Sequence, residues 1–102
     1  MLHYHFDWDP SKERRNIRKH KLPFRRATSV FHDPNQLTIY DEEHSSDDEE
    51  RWITIGIDSG GVLRVVVHTA EQLEKNSIEI RIISARKAKP KEIRRYKEGV
   101  AI

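Results

Sequence analysis

Charged residues at alternate positions of two predicted strands give the sequence its clearest chemical pattern. Arg64 and His68 occupy one side of the first strand, and Glu79 and Arg81 occupy one side of the next. If the loop 70–77 closes a hairpin between these strands, His68 lies opposite Glu79, and Arg81 is flanked diagonally by Arg64 and His68. The pattern predicts a polar sheet face that holds two arginines, a histidine and a carboxylate.

These residue types are the ones that metal-free RNA cleavage requires. A base must take the proton of the 2′-hydroxyl, cations must hold the charge that builds on the phosphate, and an acid must protonate the leaving 5′-oxygen. Histidine and glutamate move protons near neutral pH, and arginine binds phosphate through a planar fork. The same residues also fit a cross-strand salt bridge beside a surface histidine, and both interpretations stay open at this point.

The closing segment of the chain is its most basic part. Arg86 directly follows the last predicted strand, so the sheet anchors its backbone. Glu92 and Tyr96 lie four residues apart on one face of the predicted helix Lys91–Glu98 and can point back toward that strand. The alternative is a surface helix that docks on the core only through Ile93 and Tyr96.

Hydrophobic periodicity and turn residues predict one α+β domain over residues 1–102, with a small antiparallel sheet, two N-terminal helices and one C-terminal helix. The helix start at Asp9-Pro10 is the clearest boundary, because Asp caps free amides and Pro tolerates the first turn. The predicted elements are strand His3–Trp8, helix Pro10–His20, a second helix from Phe24 to Phe31, strands Leu37–Tyr40, Trp52–Ile57, Val62–Thr69 and Ile78–Ser84, and the closing helix.

The charge of the chain is unevenly distributed. Residues 41–50 carry seven acidic side chains and no Lys or Arg, while the rest of the chain has a net charge of +9. A basic body suits a polyanion such as nucleic acid. We interpret the acidic residues as solvated charge in a loop, because they lack the alternating ligands and central glycine of a calcium loop.

Several functional classes are excluded or disfavoured by composition. The chain has no cysteine, so it has no disulfide, thiolate nucleophile or cysteine zinc site. Its six histidines lack helical ligand spacing, and we expect neither a metal nor a cofactor. No stretch approaches the roughly 18 to 20 apolar residues that cross a bilayer, and Met1–Asp9 lacks a secretion signal, so we expect a cytoplasmic protein without membrane contact.

Short motifs in a fixed order run from about Phe6 to Tyr96. They are Phe6-Asp7-Trp8-Asp9-Pro10-Ser11-Lys12, Asn16, Lys19-His20, Phe24, Ala27, Phe31, Asp33-Pro34, Asp41, His44-Ser45, Glu49-Glu50-Arg51, Ile55-Gly56, His68-Thr69, Arg81-Ile82-Ile83-Ser84-Ala85-Arg86, Glu92, Arg94 and Tyr96. Together they resemble the BrnT toxin family of bacterial type II toxin-antitoxin systems. Two positions depart from the family pattern: Glu43 stands where members often carry Arg, and Lys21 where they usually carry Gly.

The resemblance implies a ribonuclease toxin with a RelE-like fold. Together with the polar sheet face it predicts a metal-independent endoribonuclease that inhibits translation. It also implies a DNA-binding antitoxin, encoded beside the toxin, that neutralises it in an oligomeric complex. In such a complex the antitoxin, not the toxin, contacts the operator DNA. The substrate of the toxin itself is RNA.

The polar sheet face and the resemblance together predict the site residues. Arg81 and Arg86 are expected to hold the phosphate, while Glu92 or Glu79 and His68 transfer protons. The expected RNA contacts are Arg64, Arg51, His44, Lys91 and Arg95. The competing hypotheses are a non-catalytic basic module that binds an antitoxin or nucleic acid, and an inactive relic of a toxin.

Overall fold

The computed structural model describes residues 2–99, and it confirms the predicted α+β class. Within these residues no helix is long and apolar enough to span a membrane. The elements are strand β1 (His3–Trp8), helices α1 (Pro10–His20) and α2 (Phe24–Thr28), a 3₁₀ turn (Ser29–His32), strands β2 (Leu37–Tyr40), β3 (Trp52–Ile57), β4 (Leu63–Glu74) and β5 (Ser77–Lys87), and helix α3 (Pro90–Glu98).

The five strands form one mixed sheet in the order β1-β5-β4-β3-β2. Strands β2 to β5 pair antiparallel in sequence order, but β1 pairs parallel with β5, with Tyr4 opposite Ile78 and Trp8 opposite Ile82. The expectation of a wholly antiparallel sheet is therefore wrong at this edge. The alternation within β1 shows which side chains face the core, but it carries no information about strand direction.

The hairpin between β4 and β5 is longer than predicted. Its turn is only Lys75–Asn76, so the predicted loop 70–77 is mostly strand. This places His68 opposite Ile82 and Arg81 opposite Thr69, with an irregularity in register between Val67 and His68. The predicted pairing of His68 with Glu79 is wrong, because the exposed polar residues that extend β4 lack the apolar alternation by which a strand is predicted.

The corrected register changes which residues share a face of the sheet. The helical face, which packs against α2 and the 3₁₀ turn, carries Val66, His68 and Ile82. Its core residues are Leu22, Phe24, Ala27, Val30, Phe31, Val66, Ile80, Ile82 and Ala85. The open face carries Val67 and Ser84, which are cross-strand partners. Val67 and Ile82, on neighbouring strands, thus lie on opposite faces of the sheet.

Helix α1 lies beside the C-terminal half of β5, and one buried side chain fixes it there. Asn16 is 5% exposed; its Nδ2 donates to the carbonyl of Leu22 (2.9 Å), and its Oδ1 accepts from the amide of Ala85 (3.0 Å). At the start of the helix, Asp9 accepts a hydrogen bond from the amide of Ser11. The polar side of α1 therefore stands along the edge of the open face.

Helix α1 ends in a left-handed residue, which is where the chain departs from the family pattern. Lys21 has φ 57° and donates its amide to the carbonyl of Ile17 (2.8 Å). A side chain in this conformation is strained, whereas glycine adopts it freely. We expect Lys21→Gly to raise the free energy of unfolding by about 1 kcal/mol, measured by urea denaturation. Lys21→Ala is the matched control, and an equal gain in both variants would contradict this explanation.

Candidate active site

A cleft of about 600 Å³ opens on the open face of the sheet. Its floor consists of Ile53, Val67, Ile83 and Ser84. Helix α1 forms one wall, the chain after β2 forms the other, and the start of α3 closes one end. The remaining lining residues are Lys12, Arg15, Asn16, Lys19, His20, Asp41, His44, Arg51, Arg86 and Lys89.

The charge of this cleft is strongly positive. Six of its lining residues are Lys or Arg, and Asp41 is the one carboxylate among them. Crowded cations on a concave surface raise the local concentration of polyanions, and Lys and Arg bind phosphates with release of counterions. Within residues 2–99 no group of three His, Cys, Asp or Glu side chains could hold a metal ion.

Arg86 is the most firmly held cation of the cleft. Its Nη1 and Nη2 donate to the two carboxylate oxygens of Glu92, each at 2.8 Å. Glu92 also accepts from the amide of Lys89 (2.7 Å) at the start of α3. The hydrogen bond from Arg86 lowers the pKa of Glu92, so this carboxylate is ionised at neutral pH. Glu92 is thus built to orient Arg86 rather than to exchange protons.

A histidine and a buried carboxylate form a second fixed pair. The Nδ1 of His44 lies 2.9 Å from the Oδ2 of Asp41, which is 6% exposed, whereas the side chain of His44 is 56% exposed. With Nδ1 donating to the carboxylate, Nε2 is the nitrogen left for a substrate. The sequence predicts Asp41 as solvated charge, but in the structure its side chain is buried. Its carboxylate folds back onto the amide and the ring of His44 in the turn that starts the loop.

Arg51, the residue just before β3, lines the cleft. Its Nε donates to Glu49 (2.9 Å), whose side chain is largely exposed, and its backbone amide donates to the hydroxyl of Ser45 (2.8 Å). Alternation places Arg51 on the same side of β3 as Ile53. That side faces the cleft, which Arg51 and Ile53 both line. An exposed ion pair is weak, and a phosphate can replace Glu49.

Two predicted site residues are buried on the helical face instead. His68 is 1% exposed, with its ring 5.0 Å from that of Phe31. Its Nδ1 donates to the carbonyl of Thr69 (3.0 Å), and in the neutral ring Nε2 accepts from the hydroxyl of Thr54 (2.7 Å). Arg64 is 8% exposed, and its Nε donates to Asp58 (2.8 Å). The expectation that both lie on an accessible polar face is wrong because the register differs.

The other predicted residues lie outside the cleft. Arg81 is exposed on the open face, between its neighbours Asp7 and Thr69. Glu79 lies further along β5, toward the hairpin turn. Lys91 and Arg95 are on α3, and neither lines the cleft. The expected convergence of Arg81 with Arg86 and Glu92 is thus not found.

The burial of His68 predicts a dependence of stability on pH. Burial lowers its pKa to about 4, below the ordinary value of 6.5. Between these two values the unfolded chain binds a proton that the folded protein does not bind, so stability falls as the pH falls through this range. We expect a loss of about 3 kcal/mol between pH 6.5 and 4. Urea denaturation at several pH values measures it.

The control for this prediction is His68→Met, which cannot titrate at this position. Between pH 6.5 and 4, the free energy of unfolding of this variant should fall by about 3 kcal/mol less than that of the original protein. Equal pH dependence in the variant and the original protein would show that other groups cause the loss.

Sequence reasoning missed the wall formed by α1. Lys12, Arg15, Lys19 and His20 all line the cleft. The available signal was the composition of the helix, in which Ile17 is the only apolar residue between positions 11 and 21. A helix this polar must face solvent or a charged partner. The side that turns toward the sheet is set by the hydrogen bonds of Asn16, which the sequence pattern does not reveal.

Comparisons with known proteins agree with the fold and decide the family. The structure matches the 1.1 Å crystal structure of the Brucella abortus ribonuclease toxin BrnT with a TM-score of 0.53 and 21% sequence identity, covering 86% of this chain and 99% of that chain. No curated protein matches the chain. The family model described as "Ribonuclease toxin, BrnT, of type II toxin-antitoxin system" matches residues 8–92. The chain belongs to the BrnT toxin family. The resemblance drawn from the sequence motifs is therefore confirmed, and so is the ribonuclease toxin class.

Proposed function

We propose that this protein is a metal-independent endoribonuclease that cleaves RNA in the open-face cleft. The observation that carries the proposal is the pair of fixed side chains in a cationic cleft: Arg86 held by Glu92, and His44 held by Asp41. One pair supplies a phosphate contact and the other a proton-transfer group. The remaining cations bind the neighbouring phosphates of the strand.

The hydrogen bonds of Arg86 leave it able to bind phosphate. A guanidinium has five N–H donors, and three are used here, two by Glu92 and one by the carbonyl of Lys87. The two that remain, on Nε and Nη2, lie along one edge of the plane and match two oxygens of a phosphate. Since Glu92 already fixes the plane, no reorganisation is needed as charge develops in the transition state.

His44 is the accessible proton-transfer group that the structure supports best among the residues predicted from sequence. Its ring lines the cleft, and Asp41 fixes its orientation. Cations for the phosphate and an imidazole for the protons supply what 2′-hydroxyl attack needs. For this reason the proposal includes no metal or cofactor.

An RNA cleavage assay in EDTA tests this function. We expect the purified protein to cut RNA, to leave 2′,3′-cyclic phosphate and 5′-hydroxyl ends, and to leave DNA of the same sequence intact. Retention of RNA without cuts would favour the binding module instead. An absence of both binding and cleavage would favour the inactive relic.

The biological part of the proposal rests on family membership. The protein inhibits translation by degrading RNA, and a DNA-binding antitoxin encoded beside it neutralises it in an oligomeric complex that contacts operator DNA through the antitoxin. Expression of the toxin with and without the neighbouring gene tests this. Growth should stop when the toxin is expressed alone and continue when the neighbouring gene is expressed with it. The cytoplasmic location and the single domain over residues 1–102 stay predictions.

A further inference from the structure

The cleft contains a second histidine, to which no role has yet been assigned. His20 is the last residue of α1, is half-buried, and lines the same cleft as His44. The two histidines come from opposite walls, since His44 follows β2. Because Asn16 ties α1 to the amide of Ala85, the wall that carries His20 is fixed relative to Arg86 on β5.

The neighbours of His20 favour its neutral form. Burial lowers the pKa of His20, and the positive charges of Lys19 and Arg86 lower it further. The charged and titratable groups that line the cleft around it are Lys12, Arg15 and Lys19 on α1, Asp41, His44 and Arg51 on the opposite wall, Arg86 on β5 and Lys89 at the start of α3. At neutral pH this imidazole is therefore ready to accept a proton.

His44, in contrast, has a negatively charged neighbour. The carboxylate of Asp41 lies 2.9 Å from its Nδ1 and can balance a positive charge on the ring. One histidine thus has cations around it and the other has an anion. Two titratable groups in contrasting environments are what an acid and base pair requires.

We propose that His20 is the general base and His44 the general acid of the reaction. This assignment rests on the proposed ribonuclease function. Neutral His20 takes the proton of the 2′-hydroxyl, and the 2′-oxygen forms a bond to phosphorus. The bond between phosphorus and the 5′-oxygen breaks, and protonated His44 donates its Nε2 proton to that oxygen. The products are a 2′,3′-cyclic phosphate and a 5′-hydroxyl, and water restores the two protonation states.

A substrate with sulfur in place of the bridging 5′-oxygen separates the two roles. A thiolate leaves without protonation, so such an RNA needs a base but no acid. We expect His20→Gln and His44→Gln each to lower the cleavage rate of ordinary RNA by about 100-fold or more. On the sulfur substrate His44→Gln should recover to within about tenfold of the original protein, while His20→Gln should stay at least about 100-fold slower.

Three measurements keep this assignment distinct from loss of folding. His32→Gln, on the helical side of the sheet, is the matched control and should cleave both substrates normally. RNA binding by fluorescence anisotropy should change less than about threefold in both cleft variants. The original protein should show a bell-shaped pH profile on ordinary RNA, and His20→Gln should lose its acidic limb.

Each contrary outcome has its own meaning. Cleavage of ordinary RNA by His20→Gln at the original rate overturns the assignment while leaving the proposed function standing. The assignment is also overturned if the sulfur substrate restores cleavage by His20→Gln instead of His44→Gln, or restores cleavage by neither variant. If the original protein cuts neither substrate, the ribonuclease proposal itself fails, and the assignment fails with it.

Discussion

Replacing Arg86 by alanine should lower kcat/KM for RNA cleavage by about 10²–10³-fold, as expected for loss of a fixed donor at a developing charge. The loss comes from the two N–H groups that Glu92 leaves free and aligned. Arg86→Lys should also be strongly impaired, because an ammonium keeps the charge but has no planar fork. Cleavage of a defined RNA under single-turnover conditions measures both variants.

The matched control for Arg86 is Arg25→Ala. Arg25 is an exposed arginine on α2, which packs on the other side of the sheet, so the variant removes the same charge away from the cleft. It should cleave RNA within about twofold of the original rate, as surface substitutions usually do little. If Arg86→Ala and Arg25→Ala lose the same modest activity, Arg86 acts through net charge alone, and its assigned phosphate contact is wrong.

Replacing His44 by alanine should lower the cleavage rate by about 10²–10⁴-fold, the range expected for loss of a positioned proton-transfer group. The effect should appear in kcat rather than KM, because the cations that bind the phosphates stay in place. Folding should be unaffected, since the side chain of His44 is 56% exposed. Asp41→Asn should lower the rate less, because the ring remains but its orientation and charge balance are disturbed.

A histidine outside the cleft provides the comparison for His44. His32→Ala removes an exposed histidine from the 3₁₀ turn and should leave the rate unchanged. Full activity in His44→Ala, with RNA products identical to those of the original protein, would remove this residue from the mechanism and leave Asp41 as a structural cap.

The sequence predicted most of the elements because their signals are local. Asp9 and Pro10 mark the start of α1, and the alternation of β1 is contained within that strand. The length of the hairpin between β4 and β5 is not a local property. Its outer part is exposed and polar, and it is held by ladder hydrogen bonds between the strands rather than by apolar burial.

That error in register explains why His68 and Arg64 are predicted on the wrong face of the sheet. Residues at the end of β5 were placed correctly near α3, so Arg86 and Glu92 are found together. His68 depended on its partner strand, and the true register turns it toward the core. His44 and Arg51 reach the cleft, but the sequence does not predict that α1 faces them, because a polar helix does not reveal its inward side.

The most direct test is a crystal structure of the protein with an RNA whose 2′-hydroxyl at the scissile position is methylated, so that it binds but cannot be cut. We expect the scissile phosphate to lie in the open-face cleft against Nε and Nη2 of Arg86, with the rings of His20 and His44 on opposite sides of it. An RNA bound on the helical face, or along α3 and Arg81 with the cleft empty, would contradict it.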